Sequence, residues 1–462
     1  FLVRHFSTEF LIIMFASKDF FQATTAPSGY QLTRSLRFRA SASAYLNRTF
    51  GTPTNQAKWT YSCWVKKSAI AAAGASCVIS AGTGASDTTR FDCLFYTGDQ
   101  ILLQGGTTVF RQTTQVFRDP SSFYHFVIAV DTTQATESLK LRVYINNSEV
   151  SWTTTNAITT CGLNSAQTVC IARTGSGVAF FDGYFAEAVF VDGQQLTPSS
   201  FGQTDSATGV WVPKKYSGTY GNNGFYLPLT DTSSTTNLVK DSSGNGNNWT
   251  PNNISLTAGT TYDSMIDVPY CTGQINGTQP SGNYCVMNRL DCGSALLTNG
   301  NLKFDNNGSY LNFARANFGV SSGKWYWEYK TTTASANNYA LNGITTASVA
   351  LGTDVTVAST SYGYYARNGN KYAAGTGSAY GTAYDSSNVI GVALDMDAGT
   401  ITFYKNNTSQ GTISLPTLTS SWDAVFDNGS GGGTQTMAVN FGQQPFVYTP
   451  PSGFVAINTY NM

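Results

Sequence analysis

Charge is scarce in this chain. Of its 462 residues only 11% are Asp, Glu, Lys or Arg, against about a quarter in ordinary soluble domains, so hydroxyl and amide groups must cover much of the surface. The charges balance at 26 basic and 26 acidic, and the basic residues form no stripes interleaved with aromatics, which argues against a nucleic-acid partner. Histidine is scarcer still. Only His5 and His125 occur, so a Ser-His-Asp or Cys-His nucleophile would have to use one of them, and neither lies in a partner motif. The eight cysteines include no CxxC pair, which argues against zinc at the usual ligand spacing. There are five glutamates, Glu9, Glu137, Glu149, Glu187 and Glu328. No apolar stretch reaches the ~20 residues that a membrane span needs, since Arg4, His5, Glu9, Lys18 and Asp19 break the first twenty-one residues. No long helical period is found.

What is present is alternation. FYHFVIAVDTT at 123–133 and GKWYWEY at 323–329 set large apolar residues at every second position, the pattern of half-buried strands. The DMDAGT sequence at 395–400 reads as a hairpin turn. A chain of this length is too large for one core. The expected organisation is all-β: an N-terminal arm over 1–29, a first sandwich over 30–230, an irregular connector rich in Asn, Ser, Thr and Gly over 231–301, and a second sandwich over 302–462. An apolar arm outside a sandwich needs a surface to cover it, which points to an assembly contact. A start at Phe1 reads as a processed or incomplete product, with Met14 as an alternative initiation point. FLIIMFA resembles the apolar region of a signal peptide but lacks a cleavage site of convincing form. Arg34, Arg37, Arg39 and Arg48 read as a solvated strand face.

Three phrases in fixed order, GKWYWEY, VIGVALDMDAGTITFYKNN at 389–407 and NFGQQPF at 440–446, resemble the SPRY family, a compact β-sandwich used for binding. In the first half, SLRF, AYLNRTF, KWTYSCWVK, FYHFVIAVDTT, LKLRVYINNSEV and FFDGYFAEAVFVDGQQLTPSSF follow one another as in the laminin-G-like, concanavalin A-like jelly roll, and DSSGNGNNWT at 241–250 resembles a phrase of that family placed later than expected. The order of domains, with FASKDFF at 15–21 and DSMIDVP at 263–269, resembles tailed-phage virion proteins of fibre or decoration type.

These resemblances imply a non-enzymatic protein of a virion surface, with a secreted or cell-surface protein as the alternative location. It would adhere to host-surface glycans or proteins and contact copies of itself or other virion proteins through the arm. A purely structural, self-assembling shell or filament subunit is the alternative, and a polysaccharide hydrolase a third. The hydrolase needs two carboxyl groups about 5–9.5 Å apart, and the ExDxxE strand of glucanases is missing; Glu187 and Glu328 read as structural acceptors. Candidate ligand-binding residues at the rim of the first sandwich are Asp87, Asp92, Asn146, Asn147 and Asp182. In the second they are Tyr362, Tyr364, Tyr365, Arg367, Asn368, Tyr372 and Tyr380, in a glycine-rich tract that supplies either contact area or a strand pair with inward tyrosines. No cofactor motif is present. Calcium suits the oxygen ligands of the first set, but no DxDxDG loop supports it, and Asp182 reads more simply as a turn residue. Cysteine pairing is open between disulfides, such as Cys161 with Cys170 or among Cys271, Cys285 and Cys292, and buried thiols.

Overall fold

The computed structural model describes residues 29–70, 74–86, 88–270, 273–274, 280–293, 296–305, 313–331, 339–416, 421–427 and 436–462. Residues 1–28 of the arm expected over 1–29, Asp87 and Cys271 lie outside them. The regular structure of the described residues is almost wholly strand and forms two tandem sandwiches of antiparallel sheets.

In the first sandwich one sheet runs from the edge strand Ser148–Glu149 to Ser264–Met265, with Lys58–Lys67 paired to both Tyr124–Asp131 and Gly183–Asp192 at its centre. The facing sheet runs from Trp152–Thr155 to Thr250–Asn252. Alternation sorts each central strand between two faces. Trp59, Tyr61, Cys63 and Val65 point into the core with Phe126, Ile128, Phe185 and Phe190, while Trp64 on the opposite face joins the apolar cluster of the second sandwich. The sheet is therefore buried on both sides, which a β-sandwich standing alone would not achieve.

Hairpin geometry follows the Asn-Asn pairs. Asn146 and Asn147 have φ of 49° and 70°, and Asn406 and Asn407 have 46° and 65°, the left-handed pair that a two-residue I′ turn demands and that Asn tolerates. The expected DMDAGT hairpin joins Ile390–Asp395 to Thr400–Lys405, with Asp395 Oδ1 accepting from the backbone N–H of Asp397 and Ala398.

In the second sandwich a sheet from Met287–Cys292 to Thr376–Ser378 faces one from Leu296–Thr298 to Thr408–Ser414. Lys324–Thr331 lies inside the latter between Thr436–Asn440 and Ile390–Asp395, and Val455–Ala456 adds a short parallel pairing. Trp325, Trp327 and Tyr329 point to the core.

The segment 231–301, expected as an irregular connector, supplies strands to both bodies. Thr250–Asn252 pairs with Tyr45–Thr49 and Ser264–Met265 with Ser35–Phe38 in the first sandwich, and Met287–Cys292 pairs with Phe313–Ala316 in the second. The late DSSGNGNNWT phrase closes one end of the first sandwich. Asp241 accepts from the N–H groups of Tyr226, Ser243 and Asn247, and Trp249 packs edge-on to Phe225.

Candidate functional site

Buried charge marks the seam between the sandwiches. Arg37 and Arg39, expected on a solvated face, instead converge on Asp263, which is fully buried. Arg39 donates to both carboxylate oxygens at 2.8 and 3.0 Å and Arg37 to one at 3.2 Å; Ser255 N–H adds a fourth donor. The strand Ser35–Phe38 aims Arg37 outward, away from Leu36 and Phe38 in the core, and a buried guanidinium must find acceptors. Its remaining N–H groups donate to the carbonyls of Thr260, Tyr262 and Asn299. Arg34 and Arg48 donate to Ser264 and Asn247.

Two further carboxylates complete the seam. Lys66, on the outward face of its strand, donates to Asp267 at 3.0 Å, to Asn283 Oδ1 and to the Tyr284 carbonyl, and lies over the rings of Phe123 and Tyr184. Asp182 reaches across to the hairpin turn after Leu296–Thr298, accepting from the N–H groups of Asn299 and Gly300 at 3.0 and 2.5 Å and from Ser68 Oγ. Its function is thus a clamp between sandwiches rather than a local turn. Gly300 is required there: φ is +74°, and a Cβ would lie 2.4 Å from the Tyr184 hydroxyl oxygen. Burial pushes the carboxyls of Asp182 and Asp267 upward, partly offset by their donors. The DSMIDVP phrase thereby acquires a chemical rationale, with Asp263 and Asp267 binding Arg37, Arg39 and Lys66 while Met265 and Val268 enter the apolar cluster.

His125 lies on the same outward face as Trp64. It is buried, stacked on Trp64 at 4.6 Å, and its Nδ1 accepts from the Trp211 indole N–H at 3.0 Å. The proton therefore sits on Nε2, 2.9 Å from Ser62 Oγ. Burial lowers its pKa to about 3 and keeps the ring neutral.

Among the described residues the other sequence candidates do not assemble into one site. Asp92 is fully buried among Arg90 and Gln104. Asn146 Oδ1 caps His125 N–H, and Asn147 completes the same turn. In the tyrosine tract, Tyr362, Tyr364 and Tyr365 are buried, with Tyr364 packed on Tyr384 and Phe403. Tyr362 and Tyr364 alternate with Gly363 across a paired strand and point into the core, the inward arrangement, whereas Tyr365 is buried on the opposite face in a separate cluster. Arg367 covers Tyr339, Asn368 Oδ1 caps a turn at Asn370, Tyr372 packs on Tyr365, and Tyr380 donates to the Gly411 carbonyl. Cys63, Cys77, Cys93, Cys170 and Cys285 are buried free thiols; the pairing of Cys170 with Cys161 is not formed.

Sequence reasoning missed a cleft of about 910 Å³ among the described residues. Its floor is the outward face of Lys324–Thr331 and Thr436–Asn440, and its walls are the loop 258–261 and residues 444–447. Glu328 lies in the floor, its carboxylate accepting from the N–H groups of Val447 and Tyr448, both at 2.8 Å, and from the Tyr326 hydroxyl at 3.1 Å. Burial raises its pKa against these donors. Glu187, the other acid singled out, sits elsewhere, at a β-bulge in Gly183–Asp192 with φ of +56°. Tyr30 donates to it at 2.5 Å, and burial raises its pKa to about 8.

The architecture is thus that of paired all-β sandwiches, and the comparisons name part of the second. Residues 324–422 match the SPRY domain family. Among solved structures, the SPRY domain of human HERC1 is 21% identical, with 33% of this chain and 96% of that one covered and a TM-score of 0.31. The TRIM65 PSpry domain is 14% identical, covering 34% and 92% with a TM-score of 0.28. A human SPRY domain is 16% identical, covering 33% and 99% with a TM-score of 0.28. No curated protein matches the chain.

Proposed function

We propose that this chain is a non-enzymatic adhesion protein of a virion surface, in which two clasped sandwiches present a binding cleft to a host-surface glycan. The observation that carries the reading is the cleft itself, about 910 Å³ between a SPRY-type sheet and a loop anchored to the other sandwich, within the usual size range of ligand pockets. The saturation of the candidate carboxylates supports a binding role over hydrolysis. Glu328 has three donors from its own chain, Glu187 is held by Tyr30, Glu137 pairs with Arg111 and Lys140, and Glu149 with Arg142. Glycosidic cleavage requires instead one acid and one base, both turned toward the scissile bond. The resemblance of the domain order and of DSMIDVP to tailed-phage proteins supplies the virion context.

The intact chain, applied to a glycan array and to host cells, should retain on specific saccharides and leave them uncut. Absence of any retained glycan or cell, together with self-assembly of the chain, would favour the structural-subunit reading. Shortening of a polysaccharide that stops in a Glu187→Gln variant would establish the hydrolase.

A further inference from the structure

We infer that the cleft takes an acidic saccharide, its carboxylate on Lys330 and its hydroxyls on Gln444 and the threonines of the facing loop; this rests on the adhesion reading and names the ligand class. Lys330 lines the cleft and forms no ion pair among the described residues. By contrast Glu328, two positions earlier on the same face, has its carboxylate occupied by three donors. The unmatched charge in the cleft is therefore positive, and a partly desolvated ammonium favours an anionic partner.

A second observation is independent of charge. Gln444 is 7% exposed and lines the cleft, yet its Oε1 has no hydrogen-bond partner among the described residues. A buried amide oxygen left unpaired costs about 1–3 kcal/mol; because this oxygen is itself closed to solvent, a ligand hydroxyl would supply the missing donor by drawing the Gln444 amide toward the cleft that it lines. Its neighbour Asn440 cannot do so, because its amide nitrogen already donates to the Gln444 and Pro445 carbonyls.

The lining also discriminates between ligand classes. Lys324–Thr331 and Thr436–Asn440 are each paired with strands on both sides, so the floor has no free ladder on which a peptide could add as a strand. A ligand here must be read by side chains: Thr260, Thr261 and Ser386 offer hydroxyls and Val389 and Phe446 offer apolar surface, the mixture that meets the polar rim and apolar face of a sugar ring. The facing wall is held in place by Arg37, which donates to the Thr260 carbonyl at 2.9 Å.

Titration calorimetry of the full chain with glucuronate and with glucose tests the assignment. Glucuronate should bind at least tenfold more tightly than glucose, and that preference should disappear in Lys330→Met, a substitution at a partly exposed position that leaves the melting temperature unchanged. Gln444→Leu should weaken both sugars severalfold. Equal affinity for the two sugars, or a glucuronate affinity that survives Lys330→Met, would overturn the proposal. Cell adhesion measured on the same samples separates the two ideas: adhesion without glucuronate binding removes the ligand class alone, whereas loss of both removes the adhesion reading beneath it.

Discussion

Inside the first sandwich Trp59, Ile128 and Phe190 pack against other apolar side chains, whereas on the opposite face of the same sheet Lys66, Arg37, Asp182, Asp263 and Asp267 are also buried. The two regions are held by different physics. Apolar burial is non-directional and tolerates repacking, so it brings the sheets together without fixing a partner. A buried ion pair gains little net stability, because desolvation offsets attraction, but leaving one member alone is costly. The seam therefore constrains how one sandwich sits on the other, while the cores supply most of the stability of each. The cleft depends on the seam, because Arg37 holds its outer wall.

The largest effect should come from breaking the seam at its most connected acid. Asp263→Ala would strand Arg37 and Arg39, and unfolding in denaturant should show a loss of about 3–5 kcal/mol. Lys66→Met leaves Asp267 with the Tyr284 N–H but no cation, and should cost about 3 kcal/mol by the same reasoning. The double variant Lys66→Met/Asp267→Leu should recover at least half of that loss. If the double variant proves as unstable as the single, the seam is not behaving as a desolvated pair and the contrast with the cores fails. Within the core, Ile128→Val removes one methylene and should cost only about 0.5–1.5 kcal/mol, with no change at the cleft.

The same contrast explains what could be read from the sequence. Alternation read the strands found at 124–131 and 324–331 and DMDAGT a hairpin, because these signals are local, while the strands at 58–67 and 183–192 were marked by the family resemblance and the Asn-Asn turns were not read. The seam was illegible because Arg37 and Asp263 are 226 positions apart, and nothing in the residues around Arg37 distinguishes a buried guanidinium from a solvated one. For the same reason the Asn- and Gly-rich stretch 231–301 read as a connector: its strands are two to six residues long and take their order from partners in either sandwich. The tyrosine tract was read with two outcomes open, and the Gly363 between Tyr362 and Tyr364, on a strand paired on both sides, favours the inward one. The cleft could not have been found, since Lys330, Gln444 and Thr260 have no sequence relation. The one available signal was DSMIDVP, two acids in a segment with little charge around them.

A last contrast lies between two groups on the outward face of the first sheet, which respond to pH in opposite senses. Burial raises the pKa of Glu187 from 4.5 to about 8, so between those values the folded chain keeps a proton that the unfolded chain releases, and stability falls as pH rises. His125 is lowered from 6.5 to about 3; across that interval the unfolded chain takes up a proton that the folded one refuses, and stability falls as pH drops. The two contributions oppose one another between pH 4.5 and 6.5 and act singly outside that interval. Melting temperatures measured from pH 3 to 9 should therefore show a Glu187→Gln variant that loses the decline between pH 6.5 and 8, while the decline below pH 4.5 remains. His125→Gln should do the reverse. A decline above pH 6.5 that persists undiminished in Glu187→Gln would mean that the acid is ionised in the folded chain, and that the bulge, with Tyr30 and nearby Lys215, solvates it as effectively as the backbone N–H groups of Val447 and Tyr448 serve Glu328.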